Sequence, residues 1–157
     1  MSIPDFLAGF LFVITTEDHL TEISGCYEGG DYLYQEVEVA LSDLSKPGKD
    51  WEIQGIIQFG LVGLQIPMAL HGCIRIGDDV AAIEKWISIF IHPKELTTTL
   101  VKALALHRKE IRTEFATTKA DFDGKLWYQA GIDTAELMQL VLGPIVPISP
   151  WATALLQ

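Results

Sequence analysis

The amino-acid sequence predicts an α+β fold in which an antiparallel β-meander of about five strands precedes two helices packed on one face. The first observation is a stretch without charged residues, 53–74, where apolar side chains alternate with others along two runs. Because successive side chains of a strand point to opposite faces, this alternation predicts two adjacent central strands. The second observation is glycine-containing turn sequence at 28–31 and 60–63. The third is a change to helical spacing at Gly77.

Residues 1–77 are predicted to be mainly strands. The β-branched run 13–16 favours extended structure, so residues 6–16 and 20–26 are predicted to form a first hairpin. Residues 32–41 alternate between apolar and polar side chains, which predicts the third strand. Short loops between these segments favour antiparallel pairing.

Residues 78–143 are predicted to be mainly helical. Asp78 is a good N-cap for the first helix, and Pro93 suits the first position of a second helix that runs to about Phe115. The apolar residues of both segments recur with helical spacing. Together these features predict two helices that cover one face of the sheet.

A late hairpin and a short helix are predicted to follow. The Asp123-Gly124 pair favours a type I′ hairpin over residues 117–129. Residues 133–136, Asp-Thr-Ala-Glu, resemble a capping box and predict the start of a short helix. The proline-containing apolar tail, 144–157, is expected to pack on the protein. All of residues 1–157 are interpreted as one α+β domain.

Composition limits the classes of function. The 157 residues are 49% hydrophobic and 20% charged, with a net charge of −10 and a pI near 4.7. This charge repels nucleic acids and anionic membrane surfaces, and it favours a basic protein partner. A membrane span is rejected for residues 53–74 because glutamines, glycines and a proline interrupt them. Two cysteines and no visible leader sequence predict a reduced, cytoplasmic protein.

A candidate pocket is predicted on the second face of the central strands. Alternation places His71, Cys73 and Arg75 on this face, and Gln54 and Gln58 join them if the strands pair. A thiol beside an imidazole and a guanidinium is the pattern of an activated nucleophile, so Cys73 and His71 are candidate catalytic residues. The simpler interpretation is a buried thiol beside a hydrogen-bonded histidine, and no catalytic residue is assigned.

A candidate docking surface is predicted on an acidic, tyrosine-bearing sheet face. Tyr32, Tyr34, Glu36 and Glu38 lie on the third strand, and Trp51 lies near a turn. Aromatic and acidic residues together are typical of a surface that binds a basic protein. The hypothesis is a non-enzymatic binding protein, such as an immunity protein or a secretion-type chaperone.

Two alternatives remain at this stage. One is a small-molecule binder or thiol-dependent enzyme with the pocket around His71, Cys73 and Arg75. The other is a self-assembling, virion-type structural subunit that forms a homo-oligomer through the 144–157 tail.

Metal and cofactor chemistry is not predicted. The candidate ligands do not show a recognised spacing; they are His71, Cys73, His92, His107 and Cys26. Asp121, Asp123 and Gly124 resemble the start of a calcium loop, but the later ligands are missing. No phosphate-binding glycine loop is present either.

Overall fold

The computed structural model describes residues 2–29, 31–43 and 51–145, and every regular element within them is helical. The predicted α+β fold is therefore wrong, because the segments assigned to a five-strand meander are coiled as helices. The bounds are α1 Ile3–Thr15, α2 Leu20–Cys26, α3 Asp31–Asp43, α4 Trp51–Ala69, α5 Gly77–Ile87, α6 Pro93–Asp123 and α7 Trp127–Leu142. Short 3₁₀ turns cover Ile74–Ile76 and Ser88–Ile91.

Helix α1 shows why the first predicted hairpin does not form. The Ser2 hydroxyl accepts a hydrogen bond from the Asp5 amide at 3.4 Å, and a proline and an acid occupy the first turn. The buried run from Phe6 to Leu11 packs into the core. Burial on this scale outweighs the modest preference of the 13–16 segment for extended structure.

Helix α4 replaces the predicted pair of central strands. Its buried face includes Ile56, Phe59, Val62 and Ile66, which are spaced by three or four residues as in a helix. Glycine in a helix costs about 1 kcal/mol relative to alanine. Here Gly60 and Gly63 provide space, because a Cβ atom at either would overlap the side chain of Phe90 or Ile87.

Helices α1 and α7 approach each other through two glycines. A Cβ atom at Gly9 would overlap the backbone carbonyl of Tyr128, and one at Gly131 would overlap that of Phe6. Since backbone atoms cannot rotate away, these positions allow a close helix crossing that a larger residue would prevent.

Helix α6 begins at the predicted Pro93 but continues well past Phe115. It has non-helical dihedral angles at His107, which mark a kink, and ends at Asp123. Lys125 has a φ of 60°, its amide donates to Phe122 O at 3.0 Å, and the Leu126 amide donates to Asp121 O at 2.8 Å. These bonds form a Schellman motif that ends the helix.

The predicted hairpin over residues 117–129 is therefore wrong. The Asp-Gly pair belongs to a helix-ending turn, and α7 starts at Trp127. The proposed capping box at 133–136 lies in the interior of α7, where the backbone amides already have helical partners. The structural role of Asp133 and Glu136 must accordingly be sought in their side-chain contacts.

Helix α7 packs against both α1 and α6, while α3 packs against α4 and α4 also contacts α5. One core extends through these contacts and contains the buried Phe6, Phe59 and Phe115. Glu52 of α4 is also buried, and Arg108 and Arg112 of α6 pair with its carboxylate. This ion pair ties the two helices together across the edge of the core.

The two cysteines join distant parts of the chain. Cys26, at the end of α2, forms a disulfide with Cys73, just after α4, with their Cα atoms 5.1 Å apart.

No helix within the described residues has both the length and the apolarity to span a bilayer. Trp86 Nε1 donates to the carbonyl of Gly143 at 3.1 Å, which fixes the end of α7 on α5. The apolar tail 144–157 is expected to pack on the protein, but its residues 146–157 lie outside the described residues.

Candidate functional site

The predicted pocket loses its geometric basis because its residues do not share a strand face. Gln54 is exposed and Gln58 is half-buried on α4. His71 is exposed in the turn that follows, and Arg75 is exposed in the 3₁₀ turn. Cys73 and Arg75 line a common groove, but Gln54, Gln58 and His71 do not line it.

Cys73 is buried and bonded to Cys26, so neither sulfur carries a free thiol in this structure. The expectation of a reduced protein is therefore not what the structure shows. The disulfide borders a groove of about 330 Å³ that Gly72, Ile74 and Arg75 also line. The roles proposed for Cys73 and His71 as nucleophile and base remain predictions that apply only to a reduced form.

The predicted docking residues lie on helix α3. Tyr32 is 71% exposed and Glu38 is exposed, whereas Glu36 is half-buried. Tyr34 stacks on Phe122 of α6 with ring centroids 6.0 Å apart. A hydrogen bond from its phenol to the Glu38 carboxylate raises the pKa of Tyr34. The structure does not describe the side chain of Trp51.

A carboxylate cluster lies between α6 and α7. It consists of Glu114 on α6 and Asp133 and Glu136 on α7, with one oxygen of each within 4.8 Å of the others. The spacing of Asp133 and Glu136, three residues apart, places both on the same side of α7. Their side chains meet Glu114 because α6 and α7 pack directly together.

Asp133 is the deepest member of this carboxylate cluster. Its residue surface is 2% exposed. Gln129 Nε2 donates to Asp133 Oδ1 at 3.2 Å, while Asp133 Oδ2 is buried without a hydrogen-bond donor. Burial, and then the adjoining carboxyl of Asp121, raise the pKa of Asp133 to about 7.

Glu114 shares this environment. Its Oε2 atom is buried without a hydrogen-bond partner. Burial raises the pKa of Glu114, and the negative charges of Glu136 and Asp121 raise it further. Two carboxyl groups with raised pKa values, one of them in the core, favour binding of a proton or a cation.

An open groove leads to this carboxylate cluster. It has a volume of about 470 Å³ and exposes Glu114 and Glu136 on its wall. Lys109, Glu110 and Gln139 also line it. A small hydrated solute can therefore reach the two outer carboxylates, and Asp133 lies beneath them.

The sequence interpretation missed these three carboxylates. The available indication was an acidic residue at position 133 flanked by small and apolar residues, with a second acid three positions later. That spacing fits the side of a helix as well as a capping box. Only knowledge that α7 begins at Trp127 separates the two interpretations.

Three surfaces of the described residues can therefore support a function: the outer face of α3, the α6–α7 carboxylate cluster and the groove beside the disulfide. No protein-family model, curated protein or solved structure matches this chain.

Proposed function

We propose that this chain is a non-enzymatic acidic protein that binds a basic protein partner through the outer face of α3. One observation carries the proposal. Residues 1–74 contain eleven carboxylates and two lysines, a net charge of −9, whereas residues 75–157 contain ten carboxylates and nine basic residues, a net charge of −1. The negative charge is thus concentrated in the part of the chain that contains α1 to α4.

The outer face of α3 combines this charge with exposed apolar surface. Tyr32, Glu38 and Val39 lie on one side of the helix, and Val39 is 44% exposed. Tyrosine contributes a large, rigid contact area, and it is a frequent anchor in protein interfaces. Tyr34 supports this face from the side through its contact with Phe122.

Charge complementarity favours a basic partner. Neither Lys nor Arg occurs in residues 2–29, 31–43 or 51–74, so a cationic surface would meet no repulsion from these segments. An uncompensated acidic surface accelerates association with a cationic protein, and it does so less at high salt. An immunity-type inhibitor and a secretion-type chaperone both fit this chemistry.

The test begins with co-purification at low salt, followed by titration of each captured protein in purified form. We expect a basic partner to be captured. The Tyr32→Ala variant should bind it about tenfold more weakly, and Glu38→Gln should also bind it more weakly. Glu84→Gln is the matched control, since Glu84 is an exposed acid on α5. Failure of every purified basic candidate to bind, or an equal loss of affinity in Glu84→Gln, contradicts the proposal.

A second candidate function is a small-molecule binder at the groove beside the disulfide. The groove supports it because Cys73 and Arg75, two of the predicted pocket residues, line the same cavity. Arg75 would favour an anionic ligand. Thermal-shift screening with small carboxylic acids tests this function, and we expect stabilisation that Arg75→Met abolishes. The same shift in both proteins would contradict it.

The compartment and the oligomeric state stay proposals. The sequence predicts a cytoplasmic location, but a Cys26–Cys73 disulfide is typical of an oxidising compartment. Non-reducing mass spectrometry of protein alkylated at cell lysis distinguishes the two. The structural-subunit alternative depends on the 144–157 tail, so size-exclusion chromatography of the chain with and without it is the test.

A further inference from the structure

We propose that Glu114, Asp133 and Glu136 form a binding site for a hard divalent cation of the Ca²⁺ class. The site lies between α6 and α7, apart from the outer face of α3, and the proposal does not depend on a protein partner. It rests on three independent features: the arrangement of the oxygens, the burial of Asp133 and the groove that reaches them.

The arrangement of the oxygens fits one cation. Ca²⁺ binds oxygens at 2.3–2.6 Å, so ligands on opposite sides of the ion are about 4.6–5.2 Å apart. The three carboxylate oxygens lie within 4.8 Å of one another, close enough for all three to contact one such ion. Ca²⁺ also accepts a flexible coordination geometry, whereas Mg²⁺ demands a near-ideal octahedron, so Ca²⁺ is the better match for carboxylates on two packed helices.

The ligand chemistry also selects a hard cation. Carboxylate oxygens favour Ca²⁺, Mg²⁺ and Mn²⁺, whereas Zn²⁺ and Cu²⁺ favour histidine and cysteine. The three members of the cluster are all carboxylates. Asp121, which adjoins Asp133, adds a fourth negative charge near the site.

The burial of Asp133 is the second feature. An ionised carboxylate is rarely buried without a positively charged partner, because its removal from water is unfavourable. Gln129 donates to one oxygen of Asp133, but Oδ2 is buried without a donor, and the neighbouring side chain of Asp121 is another acid. A cation at the centre of the three oxygens would supply the missing positive charge.

The groove is the third feature. Because Glu114 and Glu136 line its wall, a hydrated ion can enter and retain waters as its remaining ligands. Lys109 also lines the groove, and its ammonium is the competing source of positive charge. If Lys109 alone balances the carboxylate cluster, Lys109→Gln destabilises the protein and no cation binds, whereas if a cation balances it, the variant binds that cation more tightly.

The test uses the full chain, stripped of metal with a chelator and kept at about pH 8, where protons compete little. Calcium binding is measured by isothermal titration calorimetry, and Mn²⁺ binding by electron paramagnetic resonance. We expect one cation per chain with a Kd on the order of 10⁻⁵–10⁻³ M. Calcium should also raise the Tm, since a ligand that binds only the folded state stabilises it.

Asp133→Asn and Glu136→Gln are the informative variants, and both are expected to weaken binding at least about tenfold. Because Asp133→Asn removes a buried charge, we expect this variant to fold with an unchanged or higher Tm in chelator. A loss of cation binding in the folded variant is then due to the lost ligand and not to unfolding. Glu110→Gln is the matched control, because Glu110 lines the same groove outside the carboxylate cluster. Lys109→Gln should bind more tightly.

The proposal is overturned by any of three results. The first is the absence of saturable Ca²⁺ or Mn²⁺ binding to the native protein. The second is binding that Asp133→Asn and Glu136→Gln leave unchanged, and the third is an equal loss in Glu110→Gln. In these cases protons or Lys109 alone would balance the carboxylate cluster.

Discussion

At the scale of single residues, the crossing of α1 and α7 depends on two glycines that face backbone atoms of the opposite helix. A side chain can move away from an added methyl group, but the carbonyls of Phe6 and Tyr128 are fixed by their own helices. Glycine is therefore retained at positions 9 and 131 despite its cost in a helix. The benefit of glycine, the close approach of α1 and α7, can be seen only once both helices are in place.

We expect Gly131→Ala to destabilise the protein by about 1–3 kcal/mol or more, because the new methyl group would force α1 and α7 apart. Urea unfolding monitored by circular dichroism measures the change. Gly25→Ala is the control, since a Cβ atom there meets no atom within 4 Å. That variant should be neutral or stabilising by about 0.5–1 kcal/mol. Similar losses in both would show that the crossing does not require glycine.

At the scale of elements, the sequence allowed some helices to be predicted but not the class of the fold. Helical spacing after Gly77 and the proline at 93 indicated α5 and α6, but the predicted N-cap is wrong, because Asp78 lies in the first turn of α5, which begins at Gly77. In residues 53–62 the apolar residues fit period two and helical spacing at the same time. Glycines at 60 and 63 then favoured a turn, and their real role, receiving Phe90 and Ile87, depends on a distant segment.

The late hairpin failed for a related physical reason. An Asp-Gly pair is compatible with a type I′ turn and with the end of a helix, because both exploit the conformational freedom of glycine. Here the left-handed residue is Lys125, not the glycine. A hairpin over residues 117–129 is incompatible with a helix that begins at Trp127. The proximity of Asp133 and Glu136 to Glu114 therefore could not be predicted from the sequence.

The disulfide connects α2 to the segment after α4, across 47 positions of sequence. A loop of this length contributes about 4 kcal/mol in the chain-entropy account. We expect reductant to lower the free energy of unfolding by an amount of that order. The double variant Cys26→Ala/Cys73→Ala should be equally destabilised and insensitive to reductant. Equal responses of the native protein and the double variant to reductant would rule out the bond as the cause.

The contact between α6 and α7 makes stability depend on pH. The pKa of Asp133 is raised in the folded state to about 7 from an ordinary value of 3.8. Between these pH values the folded protein thus binds more protons than the unfolded chain. The contribution of Asp133 to the free energy of unfolding is therefore fully present below about pH 4 and is lost as the pH rises through about 7. Glu114 has a raised pKa as well and acts in the same direction.

In chelator, we therefore expect the free energy of unfolding to be lower at about pH 8 than at about pH 5, and this dependence to be smaller in Asp133→Asn. Urea titrations at the two pH values measure it. The groups facing Asp133 are Asp121 and Glu114 from α6 and Gln129 and Glu136 from α7. A pH dependence that is unchanged in Asp133→Asn would assign it to these neighbours or to other carboxylates.

At the scale of the whole molecule, the uneven charge has opposite consequences for folding and for binding. Residues 1–74 carry a net charge of −9, and like charges brought together by folding repel one another. Raising the ionic strength from ~0.01 M to ~0.15 M shortens the Debye length from about 30 Å to about 8 Å. Added salt should therefore weaken both the repulsion within the folded protein and its attraction to a basic partner.

We therefore expect added NaCl to raise the Tm of the free protein over this range and to lower its affinity for a basic partner. The charge-reduced variant Glu22→Gln/Glu38→Gln should show a smaller effect of salt on both quantities, since both residues are exposed acids of residues 1–74. Glu84→Gln/Glu95→Gln is the matched control, because it removes two exposed acids from the nearly neutral remainder. Equal salt responses of the two double variants would show that total charge, and not its concentration on α1 to α4, controls both properties.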